Sequence, residues 1–320
     1  MRTLDRLVIA TRGSKLARKQ TDLVRGLLVR AHPGLEVDEL IVTTTGDRDA
    51  RSFGQIGAKG IFTSEVERAV LEGRADAAVH SAKDLTSQLV EGCAIVGIPT
   101  RASAHDVVLG GKGATGEERI ASLPSGARVG TSSMRRRALL AEFRSDVEAV
   151  EFRGNLDTRI AKVEHGDVSA AIVAAAGIER LAVSVDAAPL DPLEWVPAPR
   201  QGLLAVEIVA EREDLVELFR PINDPRAWSE KLCESAFSER LEGGCSVPLG
   251  CLARVRDDRI MAVGFLGSPD GAATLRDRIS GPERQASVLG SQLADALLDA
   301  GGAEILEELR DQPVPEVVEP

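Results

Sequence analysis

Short apolar runs and helix-period segments alternate along this 320-residue chain. Leu7-Val8-Ile9-Ala10 is a continuous apolar run and reads as a buried strand. Thr11-Arg12-Gly13-Ser14 is a turn, with Ser14 placed to cap a helix that runs to about His32. Leu16, Leu23, Leu27 and Leu28 form its apolar face. Val37 to Val42 reads as a strand, 43–59 as a polar loop, and Ser64 with Glu67 as the capping box of a helix ending at Gly73. Strands follow at Ala75 to Val79 and Ala94 to Ile98.

The alternation restarts after Ala104. Arg128-Val129 leads through Gly130-Thr131-Ser132-Ser133 into a helix reaching Phe143. A strand over Val147 to Phe152, a helix starting at Asn155, a strand over Ala170 to Val173 and a short helix through Arg180 complete this second unit. Such alternation predicts α/β architecture with largely parallel sheets, here two lobes with a cleft between them. Ligands in open parallel sheets bind beyond the carboxyl ends of the strands. The polar clusters Arg12/Ser14, Lys83/Asp84, Thr131/Ser133 and Arg153/Asn155 fall in those turns.

The Pro-rich stretch 189–201 reads as a crossing between lobes, and Leu203 to Val209 as a strand returning to the first sheet. The pattern then changes. A helix from Pro225 to Leu241 is followed by strands at Leu252 to Val255, Ile260 to Phe265 and Ala273 to Ile279, and by a helix over Ala286 to Leu298. Asp257-Asp258 and Pro269-Asp270-Gly271 mark hairpin turns. The expected domains are 1–101 with 200–220 as the first α/β lobe, 102–199 as the second, 221–310 as a small α+β domain, and 311–320 as a disordered tail.

Composition narrows the partners. A net charge of −11 argues against a nucleic-acid surface. Arginines greatly outnumber lysines, so only arginine clusters carry meaning. The four cysteines, Cys93, Cys233, Cys245 and Cys251, lack zinc-site spacing, and no metal is expected. No run approaches the roughly 20 apolar residues of a membrane span, and no signal peptide is evident. A cytoplasmic protein with free thiols is the expectation, with no membrane partner. Neither a P-loop nor a dinucleotide fingerprint follows the first strand, which speaks against a nucleotide cofactor.

Two features carry chemistry. Arg135-Arg136-Arg137 follows a hydroxyl-rich helix start, and free N–H groups there bind anions. Adjacent guanidiniums add forks suited to carboxylates. The second is Leu241-Glu242-Gly243-Gly244-Cys245-Ser246-Val247-Pro248, in which a double glycine is expected to close the preceding helix in the left-handed conformation. Cys245 on this shaped loop reads either as a nucleophile facing a cleft or as a buried small hydrophobe. Lys83-Asp84 reads either as an exposed ion pair or as an acid–base group at a cleft mouth.

The segments Ala10-Thr11-Arg12-Gly13-Ser14, Ala78-Val79-His80-Ser81-Ala82-Lys83-Asp84, Val129-Gly130-Thr131-Ser132-Ser133-Met134-Arg135-Arg136, Phe152-Arg153-Gly154-Asn155 and Leu241-Glu242-Gly243-Gly244-Cys245 resemble those of the porphobilinogen deaminase (hydroxymethylbilane synthase) family, in order and spacing. The resemblance covers about Leu7 to Leu309. It implies two lobes like those of periplasmic binding proteins, with a third domain whose Cys245 holds a dipyrromethane cofactor through a thioether. It implies a transferase of tetrapyrrole biosynthesis that joins four porphobilinogen molecules, losing ammonia each time, into a linear tetrapyrrole. Asp84 would be the catalytic carboxylate. Ser81, Lys83, Thr131, Ser133, Arg135, Arg136 and Asn155 would bind the cofactor, and Arg12, Ser14, Phe62, Arg153, Arg159, Arg180 and Gln201 the substrate. A monomer is expected.

Gln55, Ser64, Thr86 and Arg200 depart from the family pattern. Relatives typically carry Gly where Arg200 stands, and arginine rarely takes a positive φ, so a differently shaped crossing is expected there. Two other readings compete: a non-catalytic two-lobe carboxylate-binding protein, and a cysteine hydrolase pairing Cys245 with a histidine such as His80.

Overall fold

The computed structural model describes residues 4–43, 64–86, 89–242 and 247–311. In chain order its strands and α-helices are β1 (Arg6–Arg12), α1 (Lys15–Ala31), β2 (Glu36–Val42), α2 (Ser64–Leu71), β3 (Ala77–Ser81), β4 (Cys93–Gly97), β5 (Asp106–Gly110), α3 (Gly116–Ala121), β6 (Arg128–Gly130), α4 (Met134–Phe143), β7 (Glu148–Val150), α5 (Leu156–Glu164), β8 (Ala170–Ala174), α6 (Ala175–Leu181), β9 (Ala187–Pro189), β10 (Leu204–Val209), α7 (Glu213–Phe219), α8 (Pro225–Arg240), β11 (Leu249–Arg256), β12 (Arg259–Gly267), β13 (Thr274–Pro282), α9 (Ala286–Leu297) and α10 (Ala303–Asp311). The chain divides into two units, residues 1–102 with 202–228, and 103–201 with 229–320.

The first unit holds a five-stranded sheet in the order β2-β1-β3-β10-β4. β1, β2 and β3 are parallel, and β10 runs antiparallel between β3 and β4. Leu7, Ile9, Val79, Val206 and Ile208 from the sheet pack with Val24 and Leu28 of α1. The inward face of α1 is rotated from the leucine stripe that its periodicity suggests. Gln20, Thr21, Val24 and Leu28 are buried, and Leu23 is exposed. The reason is polar: Gln20 Nε2 donates to Ser81 Oγ at 2.8 Å, so an amide is drawn inward toward the end of β3.

In the second unit the sheet order is β7-β6-β8-β5-β9. It repeats the first in arrangement: β6, β7 and β8 are parallel, and β5 runs antiparallel between β8 and β9. In each sheet the antiparallel strand is the first one formed after the chain crosses from the other unit.

The same unit contains the small α+β domain, an antiparallel sheet β11-β12-β13. One face packs on α8, α9 and α10 through Phe237, Leu241, Cys251, Leu266, Leu293 and Ile305. The helices approach closely: a Cβ on Gly290 of α9 would stand 2.1 Å from the Cys233 carbonyl oxygen of α8, so only glycine fits. Part of the other face, Leu252, Val263 and Phe265, joins the core of the second lobe through Ala138, Leu139 and Trp195. β11 is an edge strand whose outward N–H groups need partners. Cys251 N–H donates to Pro197 O at 2.9 Å, Ala253 N–H to Glu234 Oε1 at 2.8 Å, and Val255 N–H to Glu230 Oε1 at 3.2 Å. Two buried glutamates of α8 thus close the edge.

Glu234 spends its other oxygen on the Arg200 backbone N–H. Arg200 adopts φ 66°, the left-handed conformation that glycine would take. Glu234 thus holds the N–H of this left-handed residue from the neighbouring helix. Glu242, just after α8, also takes a left-handed φ of 51°, and the Gly243-Gly244 pair expected to close the helix lies outside the described residues. Arg310 Nη2 donates to the Glu242 carboxylate at 2.8 Å.

Candidate functional site

The site residues of the first unit stand at the carboxyl ends of β1 and β3. Half-buried Arg12 ends β1, and Ser14 caps α1 by accepting from Ala17 N–H at 3.2 Å. β3 ends at Ser81 and passes into a single 3₁₀ turn, Ala82–Asp84. Ala82 and Leu85 are buried with Ile98, Leu203 and Ala205, and Ala82 N–H donates to Leu203 O at 3.0 Å. The turn is thus pinned on both sides of Lys83 and Asp84. Lys83 is half-buried and Asp84 is exposed. Behind them His80 is buried, its Nε2 lying 2.9 Å from Glu207 Oε2. His80 is therefore a buried partner of a carboxylate on the adjoining strand.

In the second unit the hydroxyls lie where β6 turns into α4. Thr131 N–H donates to Val150 O at 2.9 Å, Ser133 N–H to Thr131 Oγ1 at 3.2 Å, and Arg136 N–H to Ser133 Oγ at 3.4 Å. Ser132 Oγ donates to Phe152 O at 3.1 Å and accepts from Phe152 N–H at 3.0 Å, locking this turn to the one after β7. A Cβ on Gly130 would stand 2.5 Å from the Phe152 ring, so the glycine is what lets that ring fill the space. Asn155 caps α5, accepting from Thr158 N–H at 3.0 Å. Arg153 Nε donates to Glu151 Oε1 at 2.7 Å, and Arg159 Nε to Gly154 O at 3.0 Å. Arg180 lies in the last turn of α6.

Three residues expected to bind ligand, Arg135, Arg136 and Gln201, meet at Asp106. Arg135 and Arg136 are neither solvated nor open forks; both are buried on Asp106, itself fully buried. Arg135 Nη2 donates to Asp106 Oδ2 at 2.8 Å, and Arg136 donates from Nη2 to Oδ1 at 2.7 Å and from Nε to Oδ2 at 3.2 Å. Both guanidiniums also donate to backbone, Arg135 Nη1 to Val196 O at 2.8 Å and Arg136 Nη1 to Ile172 O at 2.9 Å. Gln201, expected to touch substrate, is also fully buried: its amide nitrogen donates to Ala104 O at 2.6 Å and to Asp106 Oδ1 at 2.8 Å. A buried carboxylate between two cations attracts every donor within reach, which is why these side chains point inward.

Burial alone would raise the Asp106 pKa, yet Arg135 and Arg136 outweigh it and hold the carboxyl well below the usual range. Asp106 went unrecognised in the sequence, although an acidic residue heading the apolar run Val107-Val108-Leu109 was an available signal.

Cys245 and Phe62 lie outside the described residues, as does Gln55. The other cysteines make poor nucleophiles. Cys233 and Cys251 are buried. Burial first, then neighbouring carboxylates, push the Cys93 and Cys233 thiols up to about 12. At neutral pH almost no thiolate exists at either, and the thiolate is the reactive form.

Each unit thus holds an α/β sheet with hydrogen-bond donors at its strand ends, and the second also contains the small α+β domain, the architecture of a two-lobed α/β protein with a third domain. Residues 7–217 match the family model described as porphobilinogen deaminase, dipyromethane cofactor binding domain, and residues 228–299 match its C-terminal domain. The chain is 43% identical over 302 residues to the porphobilinogen deaminase of Roseiflexus castenholzii, covering 94% of this chain and 98% of the relative. It is 37% identical over 309 residues to that of Maridesulfovibrio salexigens, covering 96% and 99%. Among solved structures, an ancestral cationic amino acid solute binding protein is similar over 68% of this chain and 88% of its own, at 12% identity and a TM-score of 0.42. The chain belongs to the porphobilinogen deaminase family. It is accordingly a transferase of porphyrin biosynthesis that acts on porphobilinogen with a dipyrromethane cofactor, and the simple binding protein is the disfavoured reading.

The donor set fits that cofactor, whose rings carry carboxylates. The described residues at the starts of α4 and α5 are hydroxyls, an amide and arginines. Beneath the first of them, Arg135 Nε is buried without a hydrogen-bond partner among the described residues.

Proposed function

We propose that Cys245 carries the dipyrromethane and that Asp84 acts on each incoming porphobilinogen. The observation that carries the Asp84 role is its placement: an exposed carboxylate beside Lys83, on a turn pinned at Ala82 and Leu85. When bound, the cofactor supplies the free pyrrole carbon to which the first substrate is joined. Each addition forms one carbon–carbon bond, releases ammonia and frees a proton from the pyrrole carbon that is attacked. The pyrrole nitrogen lone pair expels the ammonia, which leaves an electron-poor ring. Asp84, accepting from that ring's N–H, stabilises the developing positive charge more than the neutral ground state. The same carboxylate is placed to take the released proton.

Arg12, Ser14, Ser81 and Lys83 in the first unit, and Thr131, Ser133, Arg153, Asn155, Arg159 and Arg180 in the second, bind the acetate and propionate groups. Charge-assisted hydrogen bonds contribute about 1.5–3 kcal/mol each, so a few suffice for a small polyanion. Arg135 and Arg136 contribute differently, as two positive charges against the one of Asp106 beneath the start of α4.

We place the enzyme in the cytoplasm as a monomer, without nucleic-acid or membrane partners. The net charge of −11 and the free thiols Cys93, Cys233 and Cys251 support this. Among the described residues no helix is long and apolar enough to cross a membrane.

Intact mass tests the attachment. The purified protein is expected to exceed its sequence mass by two linked pyrrole units. Cys245→Ser is expected to fold and to show the bare mass, since a hydroxyl is a much weaker nucleophile. Serine variants of Cys93, Cys233 and Cys251 should keep the addition. Normal cofactor mass on Cys245→Ser would overturn the assignment.

A further inference from the structure

Asp106 opens β5 and brings together three side chains from distant parts of the second unit. Arg135 and Arg136 come from the first turn of α4, and Gln201 from the end of the crossing segment. Arg136 is held twice: its backbone N–H donates to Ser133 Oγ in the helix cap, and its guanidinium forks onto Asp106. A displacement of that guanidinium therefore disturbs the cap itself. Gln201 is also held twice, by Asp106 and by the Ala104 carbonyl two residues before Asp106. The next residue, Gly202, already belongs to the first unit.

We propose that Asp106 is a positioning residue for cofactor capture. Its carboxylate sets where the two guanidiniums stand beneath the Thr131–Ser133 turn, and through Gln201 it ties them to the segment on which the chain leaves the lobe. This rests on the family reading of the site. Two adjacent guanidiniums without an anion between them repel and separate. With Asp106 present they are fixed to within hydrogen-bond tolerance, and the cluster keeps one net positive charge. That charge lies under hydroxyls and N–H groups at a helix start, where an anion is favoured.

The opposing view is that Asp106 merely competes with ligand carboxylates for Arg135 and Arg136. The two views predict opposite signs. Asp106→Asn keeps the size and makes the cluster more positive by one charge. Under competition the variant captures an anionic cofactor at least as well as the parent. Under positioning it captures less, in spite of the added charge.

The experiment compares the parent, Asp106→Asn and Gln201→Met. Each is purified as a folded fraction, checked by circular dichroism, incubated with porphobilinogen and weighed intact. The readout is the fraction of molecules carrying two pyrrole units, which is independent of turnover. The expected result is a parent close to fully loaded, Asp106→Asn loaded at least tenfold less, and Gln201→Met in between. A purely structural Asp106 would lower the melting temperature and leave the folded fraction loaded normally. Loading of folded Asp106→Asn equal to or above the parent overturns the proposal. If Asp106→Asn yields no folded fraction, Gln201→Met decides, since it keeps the carboxylate and both arginines: reduced loading supports the proposal and parental loading overturns it. A parent of bare mass would instead refute the family reading, a distinguishable failure.

Discussion

Asp84 and Asp106 show how burial divides the work of one residue type. Asp84 is exposed at the end of a pinned turn. Asp106 is sealed beneath two arginines. Only the first is able to meet a substrate. Asp84→Asn keeps the volume and removes charge and basicity, so it is expected to fold and to retain the cofactor mass. Its kcat should fall by orders of magnitude while KM changes little, because the lost interaction belongs to the transition state. Asp84→Glu keeps the charge one methylene away and should retain more activity than Asn. Steady-state kinetics on cofactor-loaded protein check this; a kcat within a few fold of the parent would make Asp84 a surface ion-pair residue. Sequence spacing located the Lys83-Asp84 turn because an apolar strand ends there. It could not tell a presented arginine from a buried one. Arg135 and Arg136 look like any basic helix start until Asp106, about 30 positions earlier, is seen between them.

Among the elements, long and strongly patterned segments were legible and short ones were not. α1, α8, α9 and the three strands of the last sheet stand close to where periodicity put them. β5, α3, β9, α7 and α10 were not anticipated. β5 and β9 are too brief for a period to declare itself, and β5 begins with a charge that only tertiary pairing explains. Strand direction is equally silent in sequence, so the antiparallel β5 and β10 inside otherwise parallel sheets came from the structure alone. The β11–β12 hairpin, by contrast, was readable from Asp257-Asp258. Both residues take positive φ, 48° and 57°, as a two-residue hairpin of this twist requires. A left-handed conformation costs a residue with a side chain about 1–2 kcal/mol. Glycine returns part of that, about 0.4–1 kcal/mol, through its freer unfolded state. Asp258→Gly is therefore expected to stabilise the protein by about 0.5–1 kcal/mol. A denaturant midpoint that falls would contradict the turn geometry.

For the whole molecule, the buried cluster around Asp106 predicts how stability depends on acid. The folded carboxyl has a depressed pKa, so its contribution is complete above the unfolded value of about 3.9 and is lost progressively as pH falls from there toward the lower folded value. The melting temperature should be steady near neutrality and drop steeply below about pH 4. Part of that drop should be missing in Asp106→Asn, which has no carboxyl to protonate. An identical acid profile in parent and variant would mean that another group controls the transition.

The placement of β10 also has a consequence during synthesis. β4 ends at Gly97, and among the described residues it pairs only with β10, which begins at Leu204. On the ribosome, more than 100 residues must emerge between the two, and β3 and β4 wait meanwhile with open edges. All five strands of the second sheet, by contrast, lie between Asp106 and Pro189, so that sheet can be finished first. The lobe that begins the polypeptide is thus the later of the two to close, and a nascent chain stalled before residue 204 exposes a strand with no partner to protect it from aggregation.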